Sequence, residues 1–70
     1  MTFQVTQLTD RKWAVEGGYT IRKFATLVNG EEVHVGFEAS RDSDNRDLCV
    51  SGDLENCLEN LTGMILTGLA

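Results

Sequence analysis

Two ten-residue runs, 19–28 and 31–40, dominate the hydrophobic pattern of the chain and meet at Asn29-Gly30. Both runs are rich in β-branched and aromatic side chains, which favour extended strands. Asn and Gly tolerate positive φ, which a tight turn between twisted strands requires, so this dipeptide is a strong hairpin signal. The sequence therefore predicts a long β-hairpin over residues 19–40.

Shorter patterns flank the hairpin on both sides. Residues 2–8 alternate polar and apolar side chains, and residues 13–16 do the same before Gly17-Gly18 interrupts them. Alternation of this kind is typical of half-buried strands, and paired glycines mark a turn. We expect two antiparallel strands before the hairpin. After a polar loop, residues 48–50 predict a short fifth strand.

The last third of the chain changes from a strand period to a helix period. Its apolar residues recur at i, i+3, i+4 and i+7, as one face of a helix requires. Ser51, Gly52 or Asp53 can cap the helix start, and Gly68 is expected to end it. The sequence therefore predicts an α+β fold of two layers, an antiparallel sheet of four to five strands with one C-terminal helix packed on one face. The predicted apolar stripe consists of Leu54, Cys57, Leu58, Leu61, Met64, Ile65 and Leu69.

The register of the hairpin decides which side chains the helix covers. A two-residue turn places Phe24 opposite Val35 and mixes polar with apolar residues on each face. A three-residue loop with a bulge at Gly30 separates them almost completely, so we favour that register. The side chains then expected under the helix are Ile21, Leu27, Val33, Val35 and Phe37. Those expected to face outward are Arg22, Phe24, Glu32, His34 and Glu38.

Length and charge limit the class of protein. Seventy residues predict a single domain, 1–70, with a thin core, since a chain of this size buries only about 60% of its unfolded surface. Residues 1–30 carry four basic and two acidic side chains (+2), whereas residues 31–59 carry two basic and nine acidic ones (−7). This acidic field disfavours direct binding of nucleic acid or an anionic membrane. The N-terminus lacks a signal-peptide pattern and the apolar stretch 64–70 is too short to span a bilayer, so we expect a cytoplasmic protein.

The residues able to carry chemistry form no recognisable catalytic or metal motif. His34, the only histidine, lies between two glutamates without a nucleophile placed by spacing. Alternation turns Cys49 away from the core while Cys57 lies in the helix stripe, so we expect the two thiols not to meet. The stretch 42–53 starts like a calcium loop but has Arg46 where the fifth ligand belongs. We therefore expect no enzyme, no metal and no cofactor, and treat a metal protein or enzyme as a distant alternative.

The favoured hypothesis is a protein-binding module that occupies a basic surface of a partner. In size and acidity the chain is similar to small phage-encoded accessory proteins, including anti-CRISPR inhibitors, which implies a stoichiometric inhibitor or mimic; no residue motif carries that resemblance. Phe24 and His34, exposed on the outer sheet face, are expected to join the contact. The alternative is a structural subunit or homodimer with an apolar interface. The acids expected to oppose the partner are Glu31, Glu32, Glu38, Asp42, Asp44, Asp47, Asp53, Glu55 and Glu59. The residues expected in a homodimer interface are Phe24, Val28, Leu66 and Leu69.

Overall fold

A computed structural model describes residues 3–70, and within them the chain forms one five-stranded antiparallel sheet with one helix. Strands that follow one another in sequence are also neighbours in the sheet. The predicted two-layer α+β fold is confirmed; Thr2, placed in the first predicted strand, lies outside the described residues. The elements are β1 (Val5–Thr9), β2 (Lys12–Val15), β3 (Tyr19–Val28), β4 (Glu31–Arg41), β5 (Arg46–Ser51) and α1 (Leu54–Leu66).

The turn between β3 and β4 contains two residues, not three. Asn29 and Gly30 have φ of 52° and 80°, and Val28 pairs directly with Glu31. Positive φ at both central positions gives the turn the twist of the flanking strands. The predicted bulge at Gly30 is therefore wrong, although the hairpin itself is confirmed.

The hairpin does contain one extra residue that shifts the strand register, but this residue lies inside β4 and not in the turn. Thr26 pairs with Val33 but Phe24 pairs with Gly36, so two residues of β4 face one of β3, and His34 has φ of 53°. This β-bulge shifts the pairing by one residue partway along the hairpin. On the side of the bulge away from the turn, Ile21 pairs with Ala39. This pairing places apolar residues of both strands on the same face, as the sequence predicted.

The bulge moves several side chains from their predicted positions. We call the side of the sheet that packs on α1 the helix face, and the opposite side the open face. Val33 lies opposite Thr26 on the open face, whereas Glu32 lies opposite Leu27 on the helix face. Both were predicted on the other side. Leu27 is 71% exposed and Val35 is 36% exposed, so neither is buried under the helix as expected.

Helix α1 begins at a well-defined cap. The Asp53 side chain accepts a hydrogen bond from the Asn56 backbone N–H at 2.7 Å, a contact that stabilises helices by about 1 kcal/mol. The helix ends in a Schellman motif, in which Gly68 has φ of 76° and the Leu69 N–H bonds the Met64 carbonyl. Leu69 therefore lies beyond the helix and is exposed, contrary to its predicted place in the stripe. Within residues 3–70 no helix is long and apolar enough to cross a membrane.

The core lies between α1 and one part of the sheet. Cys57 and Leu61 of the helix are fully buried against Ile21 and Ala39 of the central strands. The Trp13 ring packs beside this cluster, 5.6 Å from the ring of Phe37. The helix contacts β4 and β5, and β2 and β5 pair only with residues 19–22 and 37–41 of the hairpin.

The remaining part of the hairpin, residues 24–36, extends beyond the other strands and beyond the helix. We call it the distal hairpin. It accounts for the elongated shape of the molecule, whose principal extents are 41 × 23 × 20 Å. The predicted packing of its valines against α1 is therefore replaced by a ribbon of two strands open on both edges.

Candidate functional site

The distal hairpin carries apolar side chains without a layer to cover them. Phe24 is 43%, Val28 49% and Leu27 71% exposed. The last backbone hydrogen bond from the β1–β2 turn to β3 is made just before this region, where the Lys23 N–H donates to the Arg11 carbonyl at 2.9 Å. Exposed apolar side chains next to an unpaired strand edge are a common feature of surfaces that bind other chains.

Phe24 is held in place by a glycine on the neighbouring strand. It pairs directly with Gly36, and its ring occupies the space that a side chain at that position would need. A Cβ built on Gly36 would lie 2.4 Å from the Phe24 Cζ atom. An aromatic ring lying across a strand glycine is a recognised way of pinning a register. The end of the ring therefore lies over Gly36 on the open face. The sequence predicted the outward position of Phe24 but not its contact with Gly36.

Two carboxyl groups, those of Glu38 and Asp47, lie side by side on the open face. Glu38 pairs with Val50 and Asp47 with Ser40, and these neighbouring rows bring the two acids together. A hydrogen bond to the Asp47 carboxylate, together with partial burial, raises the pKa of Glu38, and the guanidinium of Arg22 opposes that shift. The pair is thus an arrangement that a positive group from outside would stabilise.

Replacing Glu38 with glutamine should raise the free energy of unfolding by about 0.5 kcal/mol at pH 7, the scale of a cross-strand pair. The folded state binds the Glu38 proton more tightly than the unfolded state does. Ionisation of Glu38 therefore lowers stability as the pH rises above 4.5, the ordinary pKa of a glutamate side chain. The gain should therefore vanish below pH 4.5. Urea unfolding of both proteins across pH 3–8 measures it, with Glu59→Gln as a charge-matched control. An equal gain at every pH would contradict the assignment.

Four of the predicted partner-binding acids already have partners within the chain. The Asp42 carboxylate accepts a hydrogen bond from the Thr20 hydroxyl at 2.6 Å. Arg41 donates two hydrogen bonds to Asp44, which lowers the pKa of Asp44 to about 2. Asp53 caps the helix, and Glu32 forms ion pairs with Arg11 and Lys23 that join the β1–β2 turn to the hairpin.

The remaining predicted acids lie on different sides of the molecule. Glu31 is exposed beside the hairpin turn, whereas Glu55 and Glu59 are exposed on the helix, opposite the open face. The acidic segment is therefore not one continuous surface. Of these remaining acids, Glu31 lies in the distal hairpin and Glu38 lies two residues beyond its end, with Asp47 on the neighbouring strand β5. His34 is exposed at the β4 bulge, where its positive φ sets the register of the hairpin.

Sequence reasoning missed a contact between the two cysteines. A second bulge, in β5, places Cys49 opposite Ala39 on the helix face while Asp47 pairs with Ser40. The Cys49 Sγ atom lies 3.8 Å from the Cys57 carbonyl oxygen, so the expectation that these residues stay apart is wrong. The error arose because simple alternation cannot include the extra residue, Leu48, which also packs against the core.

Other concave or polar parts of the molecule offer less. A shallow, open depression near the sheet edge is lined by Gln4, Thr6, Ala14, Val15 and Glu16. Among residues 3–70, no three metal-ligating side chains come together. The strongest candidate site is therefore the distal hairpin with the carboxyl pair beside it. Comparison of the chain with protein-family models, with curated proteins and with solved structures found no match.

Proposed function

We propose that this protein acts by binding a partner protein that presents an apolar site within a basic surface, and that the distal hairpin enters that site. One observation carries the proposal. Of the nine large apolar side chains exposed in residues 3–70, four lie in the distal hairpin: Phe24, Leu27, Val28 and Val35. An aromatic anchor among aliphatic neighbours is the usual composition of an interface centre.

The backbone of β3 offers a second kind of contact. The Lys23 N–H points toward β2, and the two-residue period of a strand directs the backbone groups of Ala25 and Leu27 to the same edge. No strand of the described chain pairs with that edge. An extended segment of the partner can therefore add to the sheet there, with backbone hydrogen bonds supplying affinity and the flanking side chains supplying specificity.

The charges around the distal hairpin favour a basic partner. Glu31 lies at its tip, and Glu38 lies on the open face two residues along β4 from Gly36, with Asp47 on the neighbouring strand β5. A lysine or arginine placed between Glu38 and Asp47 would replace a repulsion with two attractions. Binding of this kind is steered by charge, so its rate falls as salt rises.

The test compares three immobilised proteins in capture from a native lysate of the source cell, followed by mass spectrometry. The wild type is matched with Phe24→Ala, which removes the anchor, and with Glu55→Gln/Glu59→Gln, which removes the same type of charge from the helix side. A partner should be retained by the wild type and the helix variant. Phe24→Ala should weaken its binding by about 30-fold, as for an interface hot spot. Affinity of the purified pair should also fall between 50 and 500 mM salt.

Two results would contradict this function. One is a partner that binds Phe24→Ala as tightly as the wild type. The other is an affinity insensitive to salt. If the protein alone sediments as a dimer that Phe24→Ala dissociates, the apolar homodimer becomes the better description. The same uncharged edge favours that alternative, since residues 24–28 place no like charges opposite a second copy.

A further inference from the structure

We propose that Cys49 and Cys57 are a disulfide-forming pair, which cross-links strand β5 to helix α1 when the folded protein meets a low-molecular-weight disulfide. The inference does not depend on the proposed function. Cys49 faces the helix from the edge strand, with its Sγ atom 3.8 Å from the Cys57 carbonyl oxygen. Cys57 is fully buried in the first half of α1, and both residues belong to one core cluster.

The surroundings of the two thiols set the order of reaction. Cys49 is partly exposed and Cys57 is not, so an external reagent meets Cys49 first. Burial raises the pKa of both thiols, that of Cys57 to about 12. Little thiolate is present near neutral pH, and thiolate is the attacking form. The pair therefore reacts slowly, unlike a rapid redox sensor.

The reaction balances with glutathione disulfide as the oxidant. The Cys49 thiolate attacks one sulfur of glutathione disulfide, which forms a mixed disulfide and releases one glutathione thiolate. The Cys57 thiol loses its proton to solvent and its thiolate attacks the Cys49 sulfur. A Cys49–Cys57 bond forms, the bond to glutathione breaks, and a second glutathione thiolate leaves. The protein loses two electrons and two protons, and the oxidant gains the two electrons.

The bond would close a short loop between an edge strand and the helix. Cross-linking positions eight residues apart restricts the unfolded chain, and for a loop of this length the folding equilibrium constant rises by about 100-fold. By linkage, the equilibrium constant for forming the disulfide must be larger in the folded protein than in the unfolded chain by the same factor. The ratio of these two equilibrium constants therefore shows whether the cysteines are in contact in the native fold or are oxidised only as parts of a flexible chain.

The experiment equilibrates the full chain with mixtures of glutathione and glutathione disulfide at pH 8, with and without 8 M urea. Samples are quenched with iodoacetamide and analysed by intact-protein mass spectrometry. In the folded protein we expect an unalkylated species lighter by two hydrogens, formed at glutathione ratios about 100-fold more reducing than in urea. Cys57→Ser should stop at a single glutathione adduct on Cys49. Cys49→Ser should gain no adduct while folded.

The wild-type comparison alone can overturn the inference, even if a serine variant fails to fold. A disulfide that is no more favourable in the folded protein than in urea would show that the thiols are not held together. Accumulation of the Cys49 adduct without an internal bond, or of dimers linked between chains, would show the same.

Discussion

Replacing Leu61 with alanine should lower the free energy of unfolding by about 3 kcal/mol, within the range measured for buried leucines. Its side chain is completely inaccessible and fills the centre of the contact between α1 and the sheet. A chain of 70 residues has a total stability of only about 4–10 kcal/mol. The variant should therefore unfold at least about 12 °C below the wild type.

Urea unfolding followed by far-ultraviolet circular dichroism measures this loss. Leu66→Ala is the matched control, because Leu66 ends the same helix and is mostly exposed. Its cost should stay below about 0.5 kcal/mol. Equal losses at the two positions would mean that helix propensity, not burial, sets the stability, and would contradict the core as described.

The second large effect is expected at Gly36. An alanine Cβ there would lie 2.4 Å from the end of the Phe24 ring, so the ring must shift from its place over residue 36. We expect a loss of about 1 kcal/mol of stability, the scale of a cross-strand contact. Partner binding should also weaken, although the substitution changes no charge. Fluorescence-monitored unfolding and the affinity of the captured partner measure the two effects.

A double-mutant cycle with Phe24→Ala isolates the contact. Once the ring is absent, Gly36→Ala should cost nothing or stabilise, because alanine loses less backbone entropy than glycine on folding. The coupling energy between the two positions should therefore be about 1 kcal/mol. Additive effects would show that Phe24 is not held by Gly36.

The elements of this fold could be predicted because each has a distinct period. Asn29-Gly30 predicted the hairpin, although not its two-residue turn, and the spacing of Cys57 and Leu61 predicted the helix face. The register could not be predicted, since it depends on one extra residue at His34 in a backbone conformation uncommon for histidine. The alternation of polar and apolar residues indicates one extra residue in the hairpin but not its position, and that position decides which residues exchange faces.

The candidate site was predictable in part for the same reason. Phe24 lies below the bulge on a regular strand, so its outward position followed from alternation. The side-chain contacts of Glu38 with Asp47 and of Cys49 with Cys57 depend on the register between β4 and β5, where Leu48 is the extra residue. Contacts between neighbouring strands are set by such local shifts, and composition does not reveal them.

The restricted reach of α1 also divides the molecule dynamically. The distal hairpin is held by its own backbone ladder and by the ion pairs of Glu32. We therefore expect it to open while the core beneath α1 stays closed. Its amide protons should therefore exchange through local fluctuations of lower free energy than global unfolding. A partner that seizes the hairpin would quench those fluctuations. Part of the contact energy would then be consumed in ordering the ribbon, which keeps such a complex reversible.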